Sequence, residues 1–305
     1  PELYGVYTLS IVIPSLLINV IDFGINQGLI RFCASLRAKG ESQKIARILR
    51  SSFIFKLVLG IAIFCVCFLF SDTIAKYVLN RPGIGLYIRL ASTTIVFQVI
   101  LSTASSAFVG LDRMEYSAIA LNAQALVKAV ISPLLVLFGF SVVGALTGHV
   151  AGFLVAGLFG AFVLYWKFYR IFRVKDDRGN SNNPLQGMLN YGFPLYMSAI
   201  LATIIGQVQN LVLVFFVSDF DIGNFNASQN FVALIGALAL PIATALFPAF
   251  SKFSRSDPKL SRFFQLSIKY FSLLIVPSAL LVTVFSNQIT RIVYGTSFTS
   301  AGLFL

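Results

Sequence analysis

Eight stretches of this chain are long and apolar enough to cross a bilayer, and that constrains what it can fold into. They cover about 4–31, 51–71, 88–110, 116–140, 142–166, 191–218, 223–250 and 266–286. A membrane-spanning helix needs about 20 apolar residues. The residues are 57% hydrophobic and 11% charged, whereas soluble domains carry about 25% charged residues. The expected fold class is therefore an all-α polytopic membrane protein with eight transmembrane helices. Pro14, Pro133, Pro241 and Pro277 fall inside these segments. Such breaks are tolerated where neighbouring helices satisfy the freed backbone groups.

The net charge is +12. In a soluble protein that would suggest a nucleic-acid partner, but here the cations gather in particular loops and no nucleic acid is expected. The stretch Phe32–Arg50 reads as a basic loop, with Arg31 at its edge counted with it. Arg113, the segment from Lys167 to Arg178, and the segment from Lys252 to Arg262 are the other basic connections. If every segment spans, these fall on one side, with sixteen Lys and Arg against four on the other. Cytoplasmic loops carry the excess of Lys and Arg. The basic side is thus expected to be cytoplasmic, in a multi-pass protein of the plasma (inner) membrane.

The chain also echoes itself. Lys44-Ile45-Ala46-Arg47 precedes one apolar segment and Lys259-Leu260-Ser261-Arg262 precedes another. Tyr4-Gly5-Val6-Tyr7 corresponds to Ile222-Gly223-Asn224-Phe225. The two copies lie six spans apart, so they share one orientation and form a parallel repeat. The expected parent has at least twelve helices in two lobes of six or more. This chain would be a fragment of it, and its last residues, 299–305, would open another helix. The N-terminal lobe would cover 1–170, a cytoplasmic inter-lobe loop 171–187, and the start of the C-terminal lobe 188–305.

Polar residues deep in the apolar segments are the candidates for function. Lys128 lies about 12 residues from either end of its segment, about 18 Å at 1.5 Å per residue. An ionisable group at that depth is costly and faces a bundle interior or wet cavity. Gln124 and Ser132 flank it on one face. Thr203, Gln207 and Asn210 form a similar face in the sixth segment, and Asn226 and Asn230 one in the seventh. Gln98 stands alone. Asp22, Arg31 and Lys56 are placed to form a cytoplasmic mouth, with Lys56 about one turn inside the second segment. Each also has a plainer reading: a structural pair, an interhelical hydrogen bond, or an interfacial anchor for Arg31. The lone His149 and the three cysteines, Cys33, Cys65 and Cys67, read as packing residues.

No glycine-rich phosphate loop, metal-ligand cluster or nucleophile elbow is present in the sequence. No metal site and no cofactor are expected, and the chain does not read as an enzyme.

Several stretches resemble a known family. Glu2-Leu3-Tyr4-Gly5-Val6-Tyr7, Asp22-Phe23-Gly24-Ile25 and Gly28-Leu29-Ile30-Arg31-Phe32 look like the second helix of the polysaccharide-transport (O-antigen-type flippase) branch of the multidrug/oligosaccharidyl-lipid/polysaccharide exporter superfamily. Gly110-Leu111-Asp112-Arg113 resembles the turn after its fourth helix. Tyr191-Gly192-Phe193-Pro194-Leu195 resembles the start of the seventh. Ile222-Gly223-Asn224-Phe225-Asn226-Ala227 and Phe247-Pro248-Ala249 resemble the eighth. Lys269-Tyr270, Pro277 and Tyr294-Gly295 resemble the ninth and its exit. The resemblance places helices 2–6, 7–9 and the start of 10 in this chain.

It implies a two-lobed flippase that moves a polyprenyl-(pyro)phosphate-linked oligosaccharide outward by alternating access. Lys128, Lys56 and Arg31 would attract the phosphate, while Gln124, Gln207 and Asn210 would meet sugar hydroxyls. Asp22 is the sole acid within a span, and Asn210 stands where the family often has an acid. The implied partners are the lipid-linked oligosaccharide, membrane lipids, and a neighbouring glycan polymerase or glycosyltransferase. The rivals are a cation-coupled multidrug antiporter, a polytopic enzyme of glycan assembly, and a non-transporting scaffold.

Overall fold

The computed structural model describes residues 1–172, 184–250 and 258–305, with side chains throughout except at 172, 184, 203–204, 206–211, 238–241, 243–250, 258–260 and 299. Among the described residues it is helical and holds no strand. The helices are α1 (Glu2–Ile21), α2 (Ile25–Ala38), α3 (Ser42–Leu69), α4 (Gly85–Ser92), α5 (Thr94–Gly110), α6 (Met114–Leu135), α7 (Ser141–Val163), α8 (Pro184–Phe216), α9 (Asp219–Phe250), α10 (Pro258–Val284) and α11 (Ser286–Tyr294). Five stretches of the described residues are long and apolar enough to cross a membrane. Their outward faces carry exposed large hydrophobics such as Val58, Leu69, Leu126 and Leu273. In water that surface would drive association, whereas against lipid it is the required solvent match.

The chain divides into two compact units, residues 6–216 and residues 1–5 with 217–305. That division falls after α8, while the lobe boundary expected from the repeat lies within 171–187, of which 173–183 are outside the described residues.

In the larger unit the first apolar segment, expected as one helix over 4–31, is two. Phe23 has φ +44° and Gly24 φ +79°, a left-handed step that ends α1 and restarts the chain as α2. Two contacts fix the break. A Cβ on Gly24 would run into the backbone of Gly192 in α8, and one on Gly192 into the backbone of Gly24. The Tyr196 hydroxyl donates to the Val20 carbonyl at 3.1 Å, satisfying an acceptor left open where the helix stops.

The basic stretch 32–50, expected as a loop, is helix apart from residues 39–41. α2 runs to Ala38, Gly40 turns the chain at φ +72°, and α3 starts at Ser42. Its charges ride on helix ends. Arg37 donates to the Leu111 carbonyl at 2.7 Å and pairs with Asp112 at 3.1 Å, which ties the α2 end to the α5–α6 turn. Behind these ends lies a core of Ile25, Leu29, Ile48, Ala104, Phe108 and Met188, all buried.

α6 and α7 form a hairpin. Gly139 at φ +90° and Ser141 at φ +48° reverse the chain. Gly144, Gly148, Gly152, Ala156 and Gly160 recur every four residues on α7 and are all buried. Residues four apart share a helix face, and small residues let membrane helices approach closely. A Cβ on Gly148 would strike Ser132 of α6, and one on Gly160 would come within 3.0 Å of Ala104 of α5.

In the smaller unit the first turn of α9 packs on residues 1–5 through Gly223 and Gly5. Thr296–Phe304 form a 3-10 segment after α11, which takes in most of the stretch 299–305 expected to open another helix. The echo of α3 in α10 extends past the helices. Phe70 and Phe285, 215 residues apart, break the chain with φ/ψ of −95°/13° and −98°/17°. Ser71 and Ser286 are buried. Asp72 packs its side-chain oxygen against Gly85, and Asn287 does the same against Gly302. Asn80 and Gly295, again 215 apart, both have positive φ.

Candidate functional site: a closed ion pair and an open lysine

The break between α1 and α2 leaves Asp22 just ahead of the first turn of α2. Carboxylates are favoured there by the unpaired amides and the helix dipole. The Asn26 amide donates to Asp22 Oδ1 at 3.3 Å. The same oxygen accepts from Lys56 Nζ at 2.9 Å. Lys56 Nζ also donates to Asn26 Oδ1 at 2.7 Å and to Ser102 Oγ at 3.3 Å. An ammonium has three donors, and here all three are used. The Lys56 side chain is 2% exposed and Asp22 is 23% exposed. The cluster therefore pins α2, α3 and α5 to one another as a satisfied ion pair.

Lys56 is deeper than the sequence suggested. Because α3 begins at Ser42, Lys56 lies fourteen residues from its start and thirteen from its end. Asn26 and Ser102 were not among the sequence candidates. Asn26 could have been found by its spacing of four from Asp22, the spacing that brings residues onto one face.

Arg31 is on the same helix as Asn26 but outside the cluster. Its guanidinium lies 3.9 Å from the centroid of the Tyr191 ring of α8, a cation–π stack. It remains exposed.

Lys128 occupies the α6–α7 hairpin. A Cβ on Gly152 would come within 2.8 Å of the Gln124 carbonyl and 3.3 Å of Lys128 Cβ. Ser132 donates to the Ala145 carbonyl at 3.1 Å. The predicted polar face of α6, Gln124–Lys128–Ser132, thus runs along the glycine face of α7. Lys128 has no hydrogen bond or ion pair among the described residues and is only partly buried. His149 is buried beside it. Its ring meets Phe153 at 5.1 Å and Tyr7 at 6.3 Å, both edge to face, and its Nδ1 has no partner among the described residues.

In the smaller unit Asn230 donates to the hydroxyls of Tyr4 and Tyr294, each at 3.1 Å. The side chains of Thr203, Gln207 and Asn210 lie outside the described residues. Cys33 and Cys67 are buried, Cys65 is exposed, and all three are free thiols. No cluster of metal-ligating residues occurs among the described residues.

Among the described residues, then, Asp22 and Lys56 close on each other as a charge pair, while Lys128 has no ion-pair partner. Residues 1–254 match the sequence profile of the polysaccharide biosynthesis protein family. The chain belongs to that family. A protein of Shigella dysenteriae named for O-antigen transport is 24% identical over 243 residues, which are 78% of this chain and 56% of that protein. The chain therefore spans little more than half the length of the relative it matches. Among solved structures, the inward-facing conformation of a multidrug resistance MATE family transporter of the MOP superfamily matches 99% of this chain and 73% of its own, with a TM-score of 0.75 at 18% identity. A MATE crystal structure in the bent conformation matches 99% and 75%, with a TM-score of 0.59 at 18% identity. This member of the polysaccharide biosynthesis family is accordingly a multi-pass membrane protein with the MATE transporter fold.

Proposed function

We propose that the parent of this chain is a flippase for an oligosaccharide linked to a polyprenyl phosphate or pyrophosphate, loading it from the cytoplasmic leaflet and releasing it outside by alternating access of two lobes. The observation that carries the reading is the open charge of Lys128 in a polysaccharide-family chain with a transporter fold. Asp22 and Lys56 neutralise each other, so Lys128 stands without a protein counter-ion among the described residues. A charge deep in a membrane span is costly without a partner, and a phosphate-bearing cargo supplies one to this partly buried lysine. A drug cation would meet repulsion at the same place, which favours this reading over the cation-coupled antiporter.

Arg31 would meet the carrier phosphate at the mouth, stacked on Tyr191. Gln124, with Gln207 and Asn210, would offer hydrogen bonds to sugar hydroxyls. Lys56 would reach the phosphate only by giving up Asp22, and we assign it and Asp22 to holding the entrance helices.

The test is outward transport of the lipid-linked glycan by the full-length parent in proteoliposomes. Lys128→Ala should lower the rate about tenfold or more, a loss of about 1.4 kcal/mol, while Lys128→Arg keeps most of it. Unchanged transport by Lys128→Ala would overturn the proposal.

A further inference from the structure

Two apolar grooves open on the exposed side of α3, near its basic end. One, about 340 Å³, runs between α3 and the end of α7 and is walled by Phe53, Leu164, Tyr165 and Tyr169. The other, about 460 Å³, runs past Phe55 and Val58 toward Leu185 at the start of α8. Arg50 and Ile54 line both. The grooves therefore diverge from one exposed arginine, with Ile54 one turn deeper between them. Arg47, one turn earlier on the same face, lines the second. Each volume falls in the range of small-molecule sites, about 300–1,000 Å³.

The rim marks its own depth. Tyr165 and Tyr169 stack at 5.7 Å. Arg170 lies 5.0 Å from the Trp166 ring, and Lys167 Nζ is 2.6 Å from the Tyr116 hydroxyl. Tyr and Trp collect at the headgroup level, with Lys and Arg on the cytoplasmic side of it. Basic pockets between helices on that side suit lipid phosphates. Arg50 makes no hydrogen bond or ion pair among the described residues, so its five donors are available to an anion.

We propose that this forked groove binds one anionic phospholipid of the cytoplasmic leaflet. Its phosphate sits at Arg50, and its two chains lie in the two grooves on either side of Ile54. The fork selects the occupant: a two-chained lipid fills both arms, whereas a polyprenyl phosphate has one chain and leaves an arm empty. The site is separate from Lys128 and does not depend on what is transported.

Native mass spectrometry of the full-length parent in mild detergent tests it, with phosphatidylglycerol and phosphatidylcholine of matched chains as probes. Phosphatidylglycerol adducts should outnumber phosphatidylcholine adducts about fivefold per arginine engaged. Arg50→Gln should remove that excess, and Arg81→Gln should leave it. Ile54→Trp, which fills the fork, should reduce retention of both lipids. Equal retention of the two lipids, or an unchanged excess in Arg50→Gln, would overturn the site. Displacement of phosphatidylglycerol by an equimolar polyprenyl phosphate would reassign it to the single-chained carrier.

Discussion

Gly5 and Gly223 obstruct each other reciprocally. A Cβ on Gly5 would stand 3.2 Å from the Gly223 nitrogen, and one on Gly223 would stand 3.1 Å from the Gly5 nitrogen. The exchange continues a turn earlier, where Gly5 would strike the Asp219 carbonyl and Gly223 that of Pro1. Both pairs are 218 residues apart. A patch in which residue i meets j while j meets i is the mark of a two-fold contact. The sequence echo of these two helix starts is thus also a local symmetry in space.

Alanine at either glycine should destabilise the parent by about 1–3 kcal/mol, the range for overpacking a close contact. Because both side chains would enter the same gap, the losses should not add. Residues in contact couple by about 0.5–3 kcal/mol. Thermal unfolding of Gly5→Ala, Gly223→Ala and the double variant in detergent measures that coupling, and strict additivity would disprove the shared contact.

The Asp22–Lys56 pair should respond asymmetrically. Removing Asp22 leaves an ammonium that is 2% exposed without its counter-ion, and breaking a buried pair this way costs about 3–5 kcal/mol. Removing Lys56 leaves a carboxylate that is partly exposed and still bonded to the Asn26 amide. Asp22→Ala should therefore lower the unfolding temperature more than Lys56→Ala. The paired change Asp22→Asn with Lys56→Met should recover most of the loss. The reverse order of severity would show that the carboxylate, not the ammonium, is the group that needs its partner.

Gly24 and Gly139 separate backbone strain from collision. Both have positive φ, and a side chain in that region costs roughly 1–2 kcal/mol. A Cβ on Gly139 would meet open space, whereas one on Gly24 would meet the Gly192 backbone. Gly24→Ala should therefore be clearly the more damaging in a thermal melt or expression-level comparison. Equal effects would mean that α2 and α8 can slide apart freely.

Tyr191 should matter through its ring. A cation–π contact is worth about 0.5–2 kcal/mol depending on desolvation. Tyr191→Phe should preserve glycan transport, while Tyr191→Leu should approach the level of Arg31→Ala. Tyr191→Leu transport equal to wild type would separate Arg31 from the entrance.

The helices were legible because length and apolarity determine what a bilayer accepts. The break at Phe23–Gly24 was hidden because the segment stays apolar across it, and only Asp22 and Gly24 mark the step. Residues 32–50 looked like a loop because charge was equated with irregular chain, yet a helix can carry its cations past the headgroups. That same misreading placed Lys56 too shallow. Of its partners, Asn26 was marked by its spacing of four from Asp22 and passed over, whereas Ser102 comes from a separate helix that no spacing rule reaches. The repeat was read from Lys44–Arg47 and Lys259–Arg262. The tighter match, Phe70-Ser71-Asp72 with Phe285-Ser286-Asn287, was too short to stand out until both were seen to fold alike. Lys128 was found by depth alone, but its clamp against Gly152 needed coordinates.

That clamp sets how Lys128 can act. With Gly152 pressed near its Cβ and Ser132 held by Ala145, the root of the side chain cannot withdraw between α6 and α7. Only the three methylenes beyond Cβ are left to swing. The positive charge behaves like an electrode on a short tether whose root is fixed between the two helices. On the proposed function, an arriving anion would come to it, and the height of this hairpin would set where in the membrane a cargo phosphate comes to rest.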